Sequence, residues 1–253
     1  MDNHFKIIVP LYNIEKWATR MIRSIKLQDY ENYECILIND LSSDNSLDII
    51  KRETRGDKRF TIINNEEKKY VLKNIIEAIS SSSPNKEDII VILDGDDWFA
   101  KKSVLSTLNK TYNTTECWLT YGSYVEYPSG APGKFSRKVP NHVVENNLFR
   151  DSAWSTSHLR SWKFAVWENI VYEESFVEID PIVENNHFCN CWDLAYMFPL
   201  LELAGSKTHF IDEILYVYNR DNPLNVDKLN HDIQLKMEQK IRGMKKYSPL
   251  SSI

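Results

Sequence analysis

Ile89-Ile90-Val91-Ile92-Leu93-Asp94-Gly95-Asp96-Asp97-Trp98 is the stretch on which the reading of this chain turns. Five consecutive apolar residues, most of them β-branched, predict a strand covered on both faces, as at the centre of a parallel sheet. The run then stops at a cluster of carboxylates. Open α/β sheets bind their ligands just outside the carboxyl ends of the strands. Acids crowded at such an edge repel one another unless a cation shares them. Hard divalent cations such as Mg²⁺ and Mn²⁺ take oxygen ligands and often keep substrate phosphates in their shell. The strand end therefore reads either as a seat for a metal and a phosphorylated ligand, or as an acidic turn before a helix starting near Phe99.

The residues before this strand alternate strand and helix. Phe5 to Pro10, Tyr33 to Asn39 and Phe60 to Asn64 predict strands. Glu15 to Leu27 carries Trp17, Met21, Ile22 and Ile25 at helical spacing; Asp44 to Arg52 and Tyr70 to Ser80 predict two further helices. Ser80-Ser81-Ser82-Ser83-Pro84-Asn85 is a polar breaker. This βαβαβαβ order predicts an α/β, Rossmann-like, mainly parallel sheet flanked by helices. The second half is less regular. Trp118 to Tyr127 predicts a strand, residues 128–140 a flexible basic loop that is either a solvated loop or a substrate-covering lid, Trp192 to Leu203 an amphipathic helix closed by Gly205, Ile211 to Tyr218 a last strand, and Asp227 to Tyr247 a terminal helix. Without an internal repeat or linker, the 253 residues read as one domain with a regular first half (1–115), a less regular second half (116–225) and a C-terminal helix and tail (226–253).

An apolar share of 42%, a charged share of 26% and a net charge of −5 describe an ordinary globular protein and disfavour a nucleic-acid partner. No apolar run approaches the roughly 20 residues that span a bilayer, and Met1 to Lys6 lacks a signal-peptide layout. The expectation is a soluble, cytoplasmic protein, with self-association left open. Cys35, Cys117, Cys189 and Cys191 then read as reduced thiols. A zinc site at His187, Cys189 and Cys191 would need an atypical one-residue cysteine spacing.

Parallel strands bring three loops to one edge: Val9-Pro10-Leu11-Tyr12-Asn13, Asn39-Asp40-Leu41-Ser42-Ser43-Asp44 and Asp94-Gly95-Asp96-Asp97. A carboxylate at Asp40 suits a base N–H or a ribose hydroxyl, one at Asp94 a sugar hydroxyl, and one at Asp96 a metal bridging a diphosphate. Neither a Gly-x-x-x-x-Gly-Lys loop nor a Gly-x-Gly-x-x-Gly turn is present, which counts against ordinary kinases and dinucleotide enzymes.

Taken together with Ser24-Ile25-Lys26-Leu27-Gln28, Ile36-Leu37-Ile38-Asn39-Asp40, Lys73-Asn74 and Leu93-Asp94-Gly95-Asp96-Asp97-Trp98, these loops resemble the inverting family 2 glycosyltransferases of the GT-A fold. The resemblance implies transfer of a sugar from a nucleotide, commonly UDP, to an acceptor hydroxyl, with Mn²⁺ or Mg²⁺ as cofactor. Glucose, galactose and N-acetylglucosamine are the expected donor sugars; a glycan, a lipid-linked sugar or a protein is the expected acceptor. It places Pro10, Tyr12 and Asp40 around uracil and ribose, with Asn13 in the same loop. Lys73 and Asn74 match an Arg-Asn pair near the nucleotide. Asp94, Gly95 and Asp96 form the Asp-x-Asp motif, with Asp96 on the metal. Leu41 stands where relatives often have a turn-forming glycine. Inverting displacement needs a carboxylate to take the acceptor proton. Asp193, at the start of a helix, fits that base; Glu184 and Glu202 are lesser candidates. Asn219 occupies the place of a further metal ligand, and Arg220 suits the diphosphate. His158, Arg160 and Trp192 are the expected donor or acceptor contacts, and Asp97 is assigned to the turn. A nucleotidyltransferase should carry a Gly-rich basic loop after its first strand, where Leu11-Tyr12-Asn13 stands. A catalytically silent binding protein is the remaining alternative.

Overall fold

The computed structural model describes residues 2–171, 191–225 and 231–253. Its first half follows the expected alternation: β1 (Phe5–Leu11), α1 (Ala18–Lys26), β2 (Tyr33–Asn39), α2 (Ser46–Thr54), β3 (Phe60–Asn64), α3 (Tyr70–Ser81) and β4 (Ile89–Ile92). Then come β5 (Trp98–Phe99), α4 (Val104–Thr115), β6 (Leu119–Tyr127), α5 (Asn141–Glu145), β7 (Arg160–Lys163), α6 (Phe164–Trp167), α7 (Trp192–Ala204), β8 (Thr208–Asn219) and α8 (His231–Gly243).

One curled sheet runs β3-β2-β1-β4-β7-β6-β8-β5. The first four strands are parallel, as expected. Beyond β4 the sheet becomes mixed, because β7 enters antiparallel to both β4 and β6 while β8 runs parallel to β6. Two reversals restore the original direction, so β8 ends on the same edge as β1, β2 and β4. The residue alternation of the strands splits the core into two layers. Ile8, Ile36, Ile38, Ile90 and Ile92 pack with α3 and α7 on one face. Ile7, Val9, Leu37, Val91 and Leu93 pack with α1 and α4 on the other. Burial of each such side chain contributes about 1.5–3 kcal/mol.

The structure corrects four expectations. Trp98 and Phe99 form a short strand against β8 rather than a helix start, and the helix begins at Val104. The helix carrying Asp193 is not amphipathic: every residue from Leu194 to Ala204 is buried, Glu202 included. Among the described residues the terminal helix spans His231–Gly243 and so ends before the expected Tyr247. Residues 128–140 are tied down rather than loose, through Gly133 N–H to the Tyr124 carbonyl, Arg137 N–H to the Ser155 carbonyl and Val139 N–H to Tyr121 Oη. Glu184, His187 and Cys189 lie outside the described residues, whereas Cys35, Cys117 and Cys191 are buried, with Cys191 Sγ donating to the Gln234 carbonyl at 3.4 Å. Among the described residues no helix is long and apolar enough to cross a membrane.

Candidate active site

The carboxyl edge of the sheet carries two different carboxylate sites. At the end of β2, Asp40 is 4% exposed. Its Oδ1 accepts from Asn65 Nδ2 at 2.9 Å and from Lys69 N–H at 2.8 Å, and its Oδ2 from Tyr70 N–H at 3.0 Å. Lys68 Nζ lies 3.4 Å from Oδ2 and 2.9 Å above the Tyr12 ring centroid. Burial pushes the Asp40 carboxyl up, but the Lys69 amide, the Asn74 and Asn65 side chains and the Lys68 ammonium outweigh it and hold it below the usual carboxylate range. Tyr12, 41% exposed, is left as an open aromatic face beside this buried anion. Asn74 is buried and accepts from Asn65 at 2.7 Å. Lys68, which the sequence reading passed over, stands beside Asp40, while Lys73 lies on α3 next to Asn74.

Two loops shape this wall. Asn13 clamps the β1 loop to the β2 loop, its N–H donating to Ser42 Oγ at 2.9 Å and its Oδ1 accepting from Ser43 N–H at 2.8 Å. Leu41 adopts φ 60°, so the tight turn survives without glycine. Gly95 brings the acidic loop against β1: its N–H donates to the Pro10 carbonyl at 3.1 Å, and a Cβ there would meet the Leu11 Cβ at 2.5 Å.

The acidic loop is the second site. Asp97, fully buried, is not merely a turn residue. Tyr216 Oη donates to its Oδ2 at 2.6 Å, and Asn219 N–H donates to its Oδ1 at 2.7 Å. Tyr216 Oη also accepts from Asp94 N–H at 3.2 Å. The end of β8 thus braces the loop. Asn219 joins this brace through its backbone N–H, and its side-chain Oδ1 accepts Asp221 N–H at 3.0 Å. Asn222, unremarked in the sequence, donates to Asp96 Oδ2 at 2.7 Å. Arg220, on the same segment, has its guanidinium 5.7 Å from the Tyr218 ring centroid.

Antiparallel β7 delivers the cationic part of the site. Ile92 and Arg160 are register partners, so the start of β7 meets the end of β4. Arg160, 2% exposed, donates to Asp193 Oδ2 at 3.0 Å and to Tyr196 Oη at 3.1 Å. Its guanidinium also lies 5.6 Å from the Trp192 ring centroid. Asp193 Oδ1 accepts from Leu194 N–H at 3.0 Å in the first turn of α7. His158 is buried and stacks on Tyr216 at 4.4 Å; burial, with Arg160 nearby, pushes its pKa well down and keeps the ring neutral. Trp162 and Trp154 are packed into the core. Glu202 is no base: it is fully buried, bound by Arg150 Nε at 2.6 Å and by Tyr247 N–H at 3.0 Å.

The electrostatics of the acidic loop oppose those at Asp40. Burial, then Asp96 and Asp193, push Asp94 up to about 7 against the pull of Arg160. Burial and the neighbouring Asp96 and Asp94 push Asp97 well up. Burial raises Asp193 while Arg160 lowers it. The ligand atoms of Asp94, Asp97 and His158 lie within 4.8 Å of one another. Carboxylates, one buried and the others half-buried, that exceed their one guanidinium, beside a neutral imidazole, are a donor set suited to a divalent cation.

Comparison with known proteins bears on the family and the fold. The glycosyl transferase family 2 model matches residues 6–166. The chain is 26% identical over 224 residues to the glycosyltransferase GlyG of Streptococcus pneumoniae serotype 4, covering 87% of this chain and 72% of GlyG. A second pneumococcal glycosyltransferase is 22% identical over 229 residues, and there the chain spans only 31% of the relative's length. Among solved structures, S. aureus TarS 1-349 in complex with UDP-GlcNAc superposes with a TM-score of 0.66 at 16% identity, covering 94% of this chain and 65% of that one. Glucosyl-3-phosphoglycerate synthase from Mycobacterium tuberculosis, in complex with Mn²⁺, UDP and phosphoglyceric acid, gives 0.64 at 11% identity, covering 96% and 80%. The fold is that of these GT-A proteins, and the chain belongs to glycosyl transferase family 2.

Proposed function

We propose that this protein transfers a sugar, with inversion, from a UDP-sugar to an acceptor hydroxyl, in a reaction that requires Mn²⁺ or Mg²⁺. The observation that carries the reading is the meeting, on one sheet edge, of the Tyr12–Asp40–Lys68 wall, the Asp94–Asp97 loop and an Arg160-bound Asp193. UDP-GlcNAc in the TarS structure and Mn²⁺ with UDP in the synthase structure support a UDP donor and a divalent cation. Glucose, galactose and N-acetylglucosamine remain the donor sugars of choice, with a glycan, lipid-linked sugar or protein as acceptor. Residues 1–115 form the donor side of this single domain and residues 116–225 the acceptor side.

In this reading Tyr12 stacks on the uracil. Asp40 uses its remaining lone-pair position for the base or ribose, with Pro10 and Asn74 shaping the wall. Asp94 accepts from a sugar hydroxyl, and Arg220 pairs with the diphosphate. Asp96 would hold the metal, with Asn222 setting its carboxylate and Asp97 stiffening the loop behind it. When bound, the cation supplies charge neutralisation for the crowded acids and the leaving diphosphate. Asp193 takes the acceptor proton. Arg160 keeps it ionised and turned toward the site, while burial raises its basicity toward the range in which general bases work best. Trp192 flanks that position as a stacking surface for a sugar ring, while the buried His158 is stacked on Tyr216 and Tyr218 and backs the site from within.

A screen of UDP-glucose, UDP-galactose and UDP-N-acetylglucosamine for UDP release with Mn²⁺ tests the reading. Release from one or more donors, abolished by a chelator, is the expected result. Activity insensitive to chelation would remove the metal from the mechanism, and absence of turnover with intact UDP binding would favour a silent binding protein.

A further inference from the structure

An open groove of about 500 Å³ runs between α1 and the residues that follow β5, floored by Phe99. Lys16, Arg20, Arg23, Lys101 and Lys102 line it, and none of its lining residues is acidic. This is a local reversal of sign on a chain of net charge −5. The groove lies on the α1 face of the sheet, whereas α7 and its Asp193 pack on the opposite face.

The cations are poorly compensated. Among the described residues Lys16, Arg20 and Lys102 have no carboxylate partner. Arg23 reaches Glu53 only at 4.0 Å, and Arg52 already holds that carboxylate at 3.0 Å. Lys101 pairs with Glu213. Arg20 and Arg23, one turn apart on α1, face the same side and repel each other. Arg20 is nonetheless held in place: its guanidinium lies 4.6 Å from the Trp98 ring centroid and 5.1 Å from that of Tyr127. Stacking that fixes the guanidinium plane leaves its N–H edges for a planar or tetrahedral anion, the geometry in which arginine binds phosphate. A self-repelling row of cations with a pre-set arginine is costly to the folded protein and gains only when an anion lies across it.

We propose that this groove binds a soluble, flexible chain carrying several phosphate groups, at a site separate from the donor edge. The shape selects a chain over a membrane. The cations ring a concavity of about 500 Å³ between two elements, a space that a flexible chain can enter, and Leu27 is the one exposed apolar residue among its lining, too little apolar surface to insert into a bilayer. The inference needs nothing from the transfer reaction and stands or falls independently of it.

The test is fluorescence anisotropy with a dye-labelled linear polyphosphate, at low salt and without divalent cations. The combined variant Lys16→Gln, Arg23→Gln, Lys102→Gln is compared with a control of equal charge change away from the groove, Lys51→Gln, Lys58→Gln, Lys110→Gln. The groove variant is expected to weaken binding about tenfold or more and to flatten its salt dependence. The control should stay near wild type, and excess UDP should not displace the probe. Should the triple variant fail to fold, Lys102→Glu alone, at an exposed position, is expected to give the same loss. Absence of polyphosphate binding, equal losses in both triple variants, or displacement by UDP would overturn the proposal. So would groove-dependent binding of anionic phospholipid vesicles without binding of polyphosphate.

Discussion

Asp40 and Asp94 follow strands β2 and β4, with only β1 between them in the same parallel sheet. Their surroundings could hardly differ more. Asp40 receives three N–H donors and an ammonium, and its carboxyl is held below the usual range. Asp94 is crowded by Asp96 and Asp193 and pushed up to about 7. The fold places both acids identically, so the loops decide. Residues 65–70 fold back on Asp40 and supply donors, whereas residues 94–97 supply more acid. One carboxylate is a finished wall. The other is an electrostatic demand for positive charge.

The largest effect expected from breaking the acidic side is at Asp193. Asp193→Asn should lower transfer by about 10²–10⁴-fold, the usual contribution of a general base, while UDP binding stays near wild type; stability falls as well, because the buried Arg160 guanidinium loses its counter-charge. Steady-state transfer alongside calorimetric UDP binding checks this.

Next comes its cationic partner. Arg160→Met leaves Asp193 half-buried without a counter-charge and strands Tyr196, and should cost about 3 kcal/mol in urea denaturation. Arg160→Lys should recover part of that, because the charge remains and the fork is lost.

A pH series sharpens the contrast directly. The folded pKa of Asp94 lies above its ordinary value of 3.8, so protonation favours the folded state. The stability it contributes is full below about pH 4 and is lost as pH rises through about 7. Metal-free Asp94→Asn should therefore lack this part of the decline seen in wild type. For Asp40 the sign is opposite: its carboxylate form is favoured by folding, so its contribution is present above its ordinary pKa and is lost on acidification.

The smallest effect is expected in the turn between the two sites. Leu41 carries φ 60° at a cost of about 1 kcal/mol. Leu41→Gly relieves that strain but frees the unfolded chain by a similar amount. Stability should move by less than about 0.5 kcal/mol, measured by thermal or urea unfolding.

How far the sequence could be read follows from where the interactions are local. The strands β1 to β4 announce themselves because apolar runs and polar breakers alternate at short range. Asp40, Asp94, Asp96 and Asp193 stand out as acids at strand and helix ends. Strand β7 did not, since Arg160-Ser161-Trp162-Lys163 has no apolar alternation. Its polar members are satisfied from afar, Arg160 by Asp193 and Ser161 by Tyr112 at 2.9 Å and Thr120 at 2.6 Å. Helix α7 looked amphipathic because it opens with Asp193 and carries Glu202 among apolar residues. Glu202 is buried against Arg150, which lies 52 residues earlier in the chain. Lys68, Tyr216 and Asn222 reach the site only through loop and strand geometry, and no local pattern distinguishes them from ordinary polar residues.

The central claim is that the acidic loop, unlike the Asp40 wall, is completed by a cation. Isothermal titration of UDP with and without Mn²⁺, in wild type and in Asp96→Asn, tests it most directly. Mn²⁺ should tighten UDP binding to wild type by about tenfold or more and have little effect on Asp96→Asn, which should retain the weak metal-independent affinity of the Tyr12–Asp40 wall. Equal Mn²⁺ enhancement in both proteins, or none in wild type, would contradict the account.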